Sequence, residues 1–157
     1  MSTNFNFQII EDKSNLDSTT AMLLEKASEA SENAYSPYSG FKVGAALLLE
    51  DSTIIKGSNQ ENAAYPSGIC AERNSLFTYG TTGAKSPIAK LAIVAKKDGE
   101  KNLTGAGPCG ACRQVMLEYE TRQEKPYQVI FLNTEGKIVI TPSADSLLPF
   151  SFDGSNL

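Results

Sequence analysis

The early part of the chain carries apolar residues at a helical spacing. They recur every three or four positions, the period of one face of an amphipathic helix: Ala21, Leu24, Ala27 and Ala30. Asp17 and Ser18 precede this run, and both residue types commonly cap a helix N-terminus. Residues 36–40 include a proline and a glycine, which break a helix. The pattern therefore predicts a helix over residues 17–34.

Shorter apolar runs, separated by turn-forming residues, predict strands. Five such runs occur, at residues 41–50, 53–57, 91–95, 127–132 and 137–141. Helices are predicted at residues 70–79 and 109–120, and the turn-rich or polar stretches 80–87 and 98–107 predict loops. Strands that alternate with helices favour an α/β fold, here a three-layer α/β/α sandwich around a mixed five-stranded sheet.

The length and composition are those of a globular protein. A chain of 157 residues with 41% hydrophobic residues suits a single domain over residues 1–157, with its core at about 17–152. No apolar run approaches the ~20 residues of a membrane span, and the N-terminus lacks the pattern of a secretory signal. Acidic residues outnumber basic ones by 18 to 14, which disfavours nucleic acid as a partner. We therefore expect a cytoplasmic protein that binds neither membranes nor nucleic acid.

The cysteine and histidine content restricts the chemistry. There are three cysteines and no histidine. An odd, clustered set of cysteines argues for metal or thiol chemistry in a reducing compartment rather than for a disulfide framework. The absence of histidine excludes Ser-His-Asp and Cys-His catalysis and any imidazole-ligated metal. A general acid or base must therefore be a carboxylate, lysine, tyrosine or cysteine.

The three cysteines lie in two short segments that each follow a loop and open a predicted helix. Cys70 begins one helix, while Cys109 and Cys112 are three residues apart at the start of another and share one face. The positive end of a helix favours a thiolate, the form that binds metal. Three thiolate ligands would leave the fourth position of a tetrahedral zinc open for water, as in catalytic rather than structural sites.

Glu72 lies two residues after Cys70, close to the expected metal without being a ligand. Zinc lowers the pKa of a coordinated water toward ~7, so a carboxylate here could accept its proton. A ligand-x-Glu segment followed by Pro-Cys-x-x-Cys is typical of zinc deaminases. A Cys-x-x-Cys pair alone could also be half of a structural zinc site or a redox pair. However, a four-cysteine site needs another cysteine, and a redox pair does not explain Glu72 beside Cys70.

Five segments together resemble the cytidine deaminase family, in particular its small, one-domain, homotetrameric class. They are residues 38–46 (YSGFKVGAA), 59–65 (NQENAAY), 70–73 (CAER), 108–114 (PCGACRQ) and 147–152 (LLPFSF). The resemblance implies a cytidine-deaminase-like fold and a role in pyrimidine salvage. The implied reaction is the zinc-dependent hydrolytic deamination of cytidine and 2′-deoxycytidine to uridine and 2′-deoxyuridine, with release of ammonia.

The resemblance also implies which residues form the active site. Three would hold Zn²⁺: Cys70, Cys109 and Cys112. Six would contact the substrate: Phe41, Asn59, Glu61, Ala71, Tyr65 and Phe152. Glu72 would carry protons, Arg73 would offset the negative charge of the thiolates, and Gln114 would support the metal site.

Two of the substrate-binding residues are expected to act across a subunit interface. Tyr65 and Phe152 would reach into the site of a neighbouring subunit of a homotetramer, with Phe150 as the alternative to Phe152. The apolar tail at residues 147–152 is a separate hint, because chain ends are normally polar and mobile. Such a tail must be covered, either by its own domain or by a partner in a closed symmetric assembly.

Each of these roles has an ordinary structural alternative. Phe41 could be a core residue of an apolar strand, and Asn59 and Glu61 could be solvated loop residues. Tyr65 and Phe152 could belong to the monomer core. Three alternative functions also stay open: a deaminase of another aminopyrimidine nucleoside such as blasticidin S, a polynucleotide-editing deaminase, and a non-enzymatic zinc-binding module.

Overall fold

A mixed sheet of six strands forms the centre of the computed structural model, which describes residues 6–157. The strands are β1 (Gln8–Ile10), β2 (Phe41–Leu49), β3 (Ile54–Ser58), β4 (Ile88–Lys97), β5 (Gln128–Leu132) and β6 (Ile138–Thr141). Their order across the sheet is β1-β6-β5-β4-β2-β3. β4 and β5 pair in parallel, whereas all other neighbours pair antiparallel. A parallel pair needs a crossover connection, and a helix provides it here.

The α-helices of this part of the chain are α1 (Ser18–Ser31), α2 (Ala71–Thr82) and α3 (Gly110–Gln123). Asp17 caps α1, because its carboxylate accepts a hydrogen bond from Thr20 N at 2.9 Å. α2 continues to Thr82 and ends at Gly83, which has a left-handed φ of 69°. The prediction of a loop over residues 80–87 is therefore wrong for its first three residues.

None of the helices within residues 6–157 has the length and apolar content that a membrane span requires. α1 and α3 have 14 residues each, whereas a bilayer requires ~20 apolar residues.

The helices cover both faces of the sheet, which confirms the predicted three-layer arrangement. On one face, α1 and the strands share an apolar core that contains Leu23, Ala27, Ala46, Ala92 and Val94. On the other face, α2 and α3 join a second core that contains Leu47, Leu76, Leu91, Met116 and Val129. Side chains alternate between the two faces along a strand. In β2, Ala45 therefore packs in the core beneath α2 and α3, and its neighbour Ala46 packs in the core beneath α1.

Two glycines allow the helices to lie close to the sheet. A Cβ on Gly44 would lie 1.9 Å from Ala27 O in α1, and a Cβ on Gly57 would lie 2.6 Å from Ala71 O in α2. No real carbon contacts an oxygen at these distances, so only glycine permits this packing. Gly57 therefore determines how closely the first turn of α2 approaches the sheet.

The sheet has one strand more than the predicted five. β1 pairs with β6 at the edge, where Ile9 lies opposite Val139. β1 has only three residues and is mostly exposed, so it lacks the apolar run that identifies the other strands. β4 also extends beyond the predicted residues 91–95, because its ends remain paired with β2 even where the side chains are polar.

Candidate active site

The three cysteines converge where α2 and α3 begin. Cys70 and Cys109 are the N-cap residues of these helices, and Cys112 lies in the first turn of α3. Their Sγ atoms all lie within 4.8 Å of one another, and those of Cys109 and Cys112 are 3.4 Å apart. The packing of α2 beside α3 therefore adds a distant cysteine to the Cys-x-x-Cys pair.

The geometry and donor chemistry of this cluster fit a zinc ion. Zinc–thiolate bonds of about 2.3 Å in a tetrahedron hold the sulfurs about 3.8 Å apart, which lies within the separations found here. Three sulfur donors leave one ligand position for water or substrate. Cys112 is buried whereas Cys109 is exposed, so the cluster can be reached from solvent.

Hydrogen bonds and positive charge favour the thiolate form of Cys70. The hydrogen bond from the Cys112 thiol, with a further contribution from Arg73, lowers the pKa of Cys70 to about 5. The same hydrogen bond, together with burial, raises the pKa of Cys112. These opposite directions favour the thiolate on Cys70 and the thiol on Cys112. A metal that binds here must displace thiol protons, so its affinity falls with falling pH.

Arg73 lies one helical turn after Cys70 and contacts its sulfur. Its Nη2 donates to Cys70 Sγ at 3.7 Å, and this hydrogen bond raises the pKa of Arg73. The Nε–H of Arg73 is buried without a hydrogen-bond acceptor among the described residues. Three thiolates around Zn²⁺ carry a net charge of −1, and the guanidinium is placed to offset it.

Glu72 is a buried carboxyl group beside the cysteine cluster. Its residue is only 5% exposed, and burial raises its pKa because the ionised form loses hydration. The negative charge of Cys70 acts in the same direction, while the Cys112 thiol and Arg73 oppose it. A carboxyl group whose pKa is raised beside the metal ligands is suited to accept a proton and return it.

A cavity of about 550 Å³ opens beside Cys70 and is large enough for a small molecule. Its wall includes several of the predicted site residues: Asn59, Glu61, Tyr65, Cys70 and Arg73. The other residues of the wall were not predicted to bind substrate: Tyr38, Ser39, Gln60, Asn62, Gly68 and Ile69. Phe41, Ala71 and Phe152 do not border the cavity.

Asn59 joins β2 to the segment that follows β3. Its Oδ1 accepts from Val43 N at 2.8 Å, and its Nδ2 donates to Phe41 O at 2.9 Å. These contacts fix the amide plane at the cavity wall, so Asn59 is an ordered residue rather than a solvated loop residue. Phe41 is half-buried at the start of β2 and is not part of either apolar core.

Glu61 is likewise ordered. Its carboxylate accepts hydrogen bonds from Tyr38 N at 3.0 Å, Ser39 N at 3.3 Å and the Ser39 hydroxyl at 2.5 Å. The hydroxyl contact contributes most to lowering the pKa of Glu61. An ionised acceptor therefore stands at the cavity wall in a fixed orientation.

The two aromatic residues predicted to cross a subunit interface lie at the surface. Tyr65 is 77% exposed and meets the Tyr38 ring edge-on, and Phe152 is 57% exposed. The alternative that these rings belong to the monomer core is therefore wrong. Gln114 Nε2 donates to Phe152 O at 2.9 Å, so Gln114 binds the tail. This contact was not predicted, because the sequence resemblance implied only a supporting role for Gln114 at the metal site.

Other side chains of α3 also fasten the C-terminal segment beside the cluster. Arg113 donates from Nη1 to Leu147 O at 3.2 Å. The buried carboxylate of Glu120 accepts from Ala144 N at 2.7 Å. Sequence reasoning missed this anchoring because the partners lie more than 20 residues away along the chain and carry no local signal.

Comparison with known proteins identifies the family. The cytidine and deoxycytidylate deaminase zinc-binding region matches residues 17–125. This chain belongs to the cytidine and deoxycytidylate deaminase family. The match contains the three cysteines and Glu72, so zinc is confirmed as the metal of this deaminase. The C-terminal tail lies outside the matched region.

Cytidine deaminases resemble this deaminase over most of its length. One from Halalkalibacterium halodurans is 43% identical over 137 residues, which cover 87% of this chain and 96% of the relative. Another from Sporosarcina psychrophila is 42% identical over 135 residues, which cover 86% and 92% respectively. Since both relatives are covered almost completely, the similarity extends beyond the metal-binding motifs.

Solved structures confirm the predicted fold class of the deaminase. The crystal structure of cytidine deaminase from Burkholderia pseudomallei is 41% identical, with a TM-score of 0.70, and the match covers 83% of this chain and 97% of that one. The structure from Mycobacterium tuberculosis is 32% identical, with a TM-score of 0.66 and coverage of 87% and 99%. The deaminase therefore has the cytidine-deaminase fold, with a sixth strand in its sheet.

Proposed function

We propose that this enzyme deaminates cytidine and 2′-deoxycytidine hydrolytically to uridine and 2′-deoxyuridine, with release of ammonia. One observation carries the proposal. A three-cysteine cluster, a buried carboxyl group and a cavity of nucleoside size converge at the N-terminus of α2. Zinc deaminases of nucleobases use this combination. Membership in the deaminase family and relatives that are cytidine deaminases support the same substrate.

The metal ligands and Glu72 divide the chemical work. Cys70, Cys109 and Cys112 hold the zinc, which when bound lowers the pKa of a water molecule and so supplies a nucleophile at neutral pH. Glu72 would accept one proton of the water and deliver it to N3 of the pyrimidine while the oxygen of the water bonds to C4. It would then move the remaining proton of that new hydroxyl to the amino group, so that the C4–N bond breaks, ammonia leaves and a C4 carbonyl remains. A single buried carboxyl group can serve these steps because it stays beside the reacting atoms throughout.

Arg73 provides charge balance in this scheme. Its guanidinium contacts Cys70 Sγ and withdraws negative charge from the thiolates. Without this cation, a three-thiolate site would be a weaker Lewis acid than one with neutral ligands, because the net charge on the site would oppose the polarisation of water.

The sugar is bound by Asn59 and Glu61. Both line the cavity, and backbone groups hold both side chains. A carboxylate such as Glu61 can accept a charge-assisted hydrogen bond from a ribose hydroxyl. Phe41 and Ala71 are assigned to substrate binding by the family resemblance, although neither borders the cavity of the single chain. The N–H of Ala71, at the first position of α2, is among the helix donors that lack an intrahelical acceptor.

The active assembly is a homotetramer in which Tyr65 and Phe152 reach neighbouring sites. Both rings are exposed in the single chain, and burying them against another subunit would remove apolar area from water. Closed symmetric assemblies are the usual way to cover such a surface. Phe150 is exposed as well and is the alternative to Phe152.

The chain functions as one domain in the cytoplasm. Helices cover both faces of one sheet, which supports a single domain over residues 1–157 with its core at about 17–152. Three thiols that must stay reduced to bind metal support a reducing compartment.

The direct test is an absorbance assay of cytidine with purified, zinc-loaded protein, together with measurement of released ammonia. We expect turnover that is lost when a chelator removes zinc and restored when zinc returns. No turnover with one zinc per chain would contradict the proposed reaction and would favour a non-enzymatic zinc module.

A substrate panel separates the remaining alternatives. We expect cytidine and 2′-deoxycytidine to react faster than blasticidin S, and single-stranded nucleic acid not to react. A faster rate on blasticidin S would assign the site to another aminopyrimidine nucleoside. Salt-dependent binding and editing of single-stranded nucleic acid would favour a polynucleotide deaminase.

A further inference from the structure

Ser39 connects two of the proposed substrate-binding residues. Its hydroxyl donates to Glu61 Oε1 at 2.5 Å and accepts from Phe41 N at 3.0 Å. Its backbone N–H and that of Tyr38 both donate to Glu61 Oε2, at 3.3 and 3.0 Å. One short turn, residues 38–39, therefore holds both oxygens of the Glu61 carboxylate.

This turn is itself held in place. Gly40 follows it with a φ of 62° and donates from its backbone N–H to Ser36 O at 3.0 Å. On the other side, Glu61 N donates to Tyr35 O at 2.8 Å. The turn and the Glu61 segment are thus joined by backbone as well as side-chain hydrogen bonds, so their relative position is defined.

The hydrogen bonds determine how much of Glu61 is left for a ligand. An ionised carboxylate has about four lone-pair positions, and the turn occupies three of them, two on Oε2 and one on Oε1. One acceptor position remains, and it is on Oε1, the oxygen that Ser39 holds. Ser39, Asn59 and Glu61 all line the same cavity, so this position is available to a molecule bound there.

We propose that Ser39 is a positioning residue for sugar recognition, which orients Glu61 so that its one remaining acceptor position receives a single ribose hydroxyl. This inference rests on the proposed function and deepens it. Because cytidine and 2′-deoxycytidine are both proposed substrates, the hydroxyl that Glu61 binds must be one that both carry. It is therefore the 3′- or the 5′-hydroxyl.

The test compares Ser39→Ala with the wild-type enzyme on three substrates: cytidine, 2′,3′-dideoxycytidine and 5′-deoxycytidine. We expect KM for cytidine to rise about three- to tenfold, the effect of a single hydrogen bond at an exposed site, while kcat changes less than KM. The nucleoside that lacks the recognised hydroxyl should show no such loss. Ser39→Thr restores the hydroxyl and should recover the wild-type KM for cytidine.

Ser14→Ala is the matched control. The Ser14 hydroxyl also binds an exposed carboxylate, that of Asp12, but neither residue borders the cavity. This variant should leave the kinetics of all three substrates unchanged. Ser39 is exposed and outside both apolar cores, so Ser39→Ala should fold, which a thermal unfolding curve checks.

A double variant tests whether Ser39 acts through Glu61. In a Glu61→Ala background, Ser39→Ala should add no further rise in KM, because the side chain that Ser39 orients is no longer there. An additive loss, or an equal loss on all three nucleosides, would make Ser39 a merely structural residue and overturn the inference. Failure of the wild-type enzyme to deaminate cytidine would instead overturn the proposed function, and this inference with it.

Discussion

Glu61 and Glu72 are carboxyl groups of the same site with opposite environments. Hydrogen bonds, chiefly from Ser39, lower the pKa of Glu61, whereas burial raises the pKa of Glu72. The first environment favours the ionised acceptor, and the second favours uptake of a proton. Pairs of acids whose pKa values are moved apart in this way commonly divide binding and proton transfer between them.

Glu72→Gln should remove proton transfer while leaving the metal site intact. We expect kcat to fall by at least ~10² to 10⁴, the usual contribution of general acid–base catalysis, with the larger loss favoured because one group serves several steps. Zinc content should stay at the wild-type level. The control is Glu118→Gln, an exposed position on α3, which should be fully active. Near-normal turnover of Glu72→Gln would remove Glu72 from the mechanism.

Replacement of any metal-binding cysteine by alanine should lower zinc content together with activity. The reason is that two thiolates do not replace the three that the cluster supplies. Metal analysis and the cytidine assay on the three single variants, Cys70→Ala, Cys109→Ala and Cys112→Ala, check this. A variant that retains one zinc per chain and full activity would exclude that cysteine from the site.

At the scale of elements, two glycines and two helix N-termini position the site. Gly44 and Gly57 let α1 and α2 approach the sheet on opposite faces. α2 and α3 begin at cysteines, so the packing of these elements sets the sulfur separations. A substitution that shifts one of these helices would therefore change the stability of the fold, and a shift of α2 or α3 would also change the geometry of the metal site.

Gly44→Ala should destabilise the fold, because its Cβ would overlap the backbone of α1 at Ala27 O. Overpacking of this kind typically costs 1–3 kcal/mol, and we expect a loss of about 3 kcal/mol or more in the free energy of unfolding because the obstacle is backbone. Chemical denaturation measures it. Gly154→Ala is the control, since nothing lies within 4 Å of its Cβ position. Equal stability of the two variants would contradict the close packing of α1.

The cap of α1 should make stability depend on pH in the acid range. Hydrogen bonds from Thr20, assisted by Lys90, lower the pKa of Asp17 below its ordinary value of 3.8. A carboxyl group with a lower pKa in the folded state stabilises the fold above the unfolded value. This stabilisation is lost as the pH falls through the folded value.

Asp17→Asn keeps a capping side chain but cannot titrate, so it isolates this contribution. We expect the wild-type protein to be the more stable at pH 7 and the difference to shrink as the pH falls below the ordinary value of 3.8 and through the lower folded-state value. Asp17→Ala removes the cap itself and should cost about 1 kcal/mol at pH 7. Unfolding curves that give the Asn variant and the wild type the same pH dependence would contradict this assignment.

For the molecule as a whole, the aromatic side chains that lie near the cavity and in the tail are unusually exposed. Tyr38, Tyr65, Phe150 and Phe152 are all at least half-exposed. The tail that carries the last two is nevertheless anchored, by Arg113 to Leu147 O and by Gln114 to Phe152 O. A fixed tail with exposed rings is suited to contact another subunit rather than to pack on its own domain.

Truncation after Leu148 should therefore disrupt the proposed tetramer and lower activity. Light scattering should show a smaller species, because the truncated chain lacks the Phe150 and Phe152 rings that would be buried against a neighbour. Truncation after Asp153 retains both rings and serves as the control, with size and activity unchanged. A fully active monomer, with or without the tail, would rule out shared active sites.

The sequence by itself determined the features that depend on neighbouring residues. The cap at Asp17 and the helical apolar spacing after it located α1, because capping and amphipathicity act over a few residues. Cys109 and Cys112 lie three residues apart, so helical geometry alone placed their sulfurs on one face. Glu72 follows Cys70 by two residues, so the chain itself keeps it in the neighbourhood of the metal site. The type of metal, the class of reaction and the three-layer fold followed from such local patterns.

Only the tertiary structure decided which distant residues meet. Ser39 binds Glu61 across 22 residues, and Glu120 binds Ala144 across 24. β1 acquires its strand structure from pairing with β6 rather than from its own composition. Polar loop residues and short edge strands have no periodic pattern, and their hydrogen-bond partners depend on how the sheet orders its strands. For this reason the arrangement of the cavity wall became visible only in the folded chain.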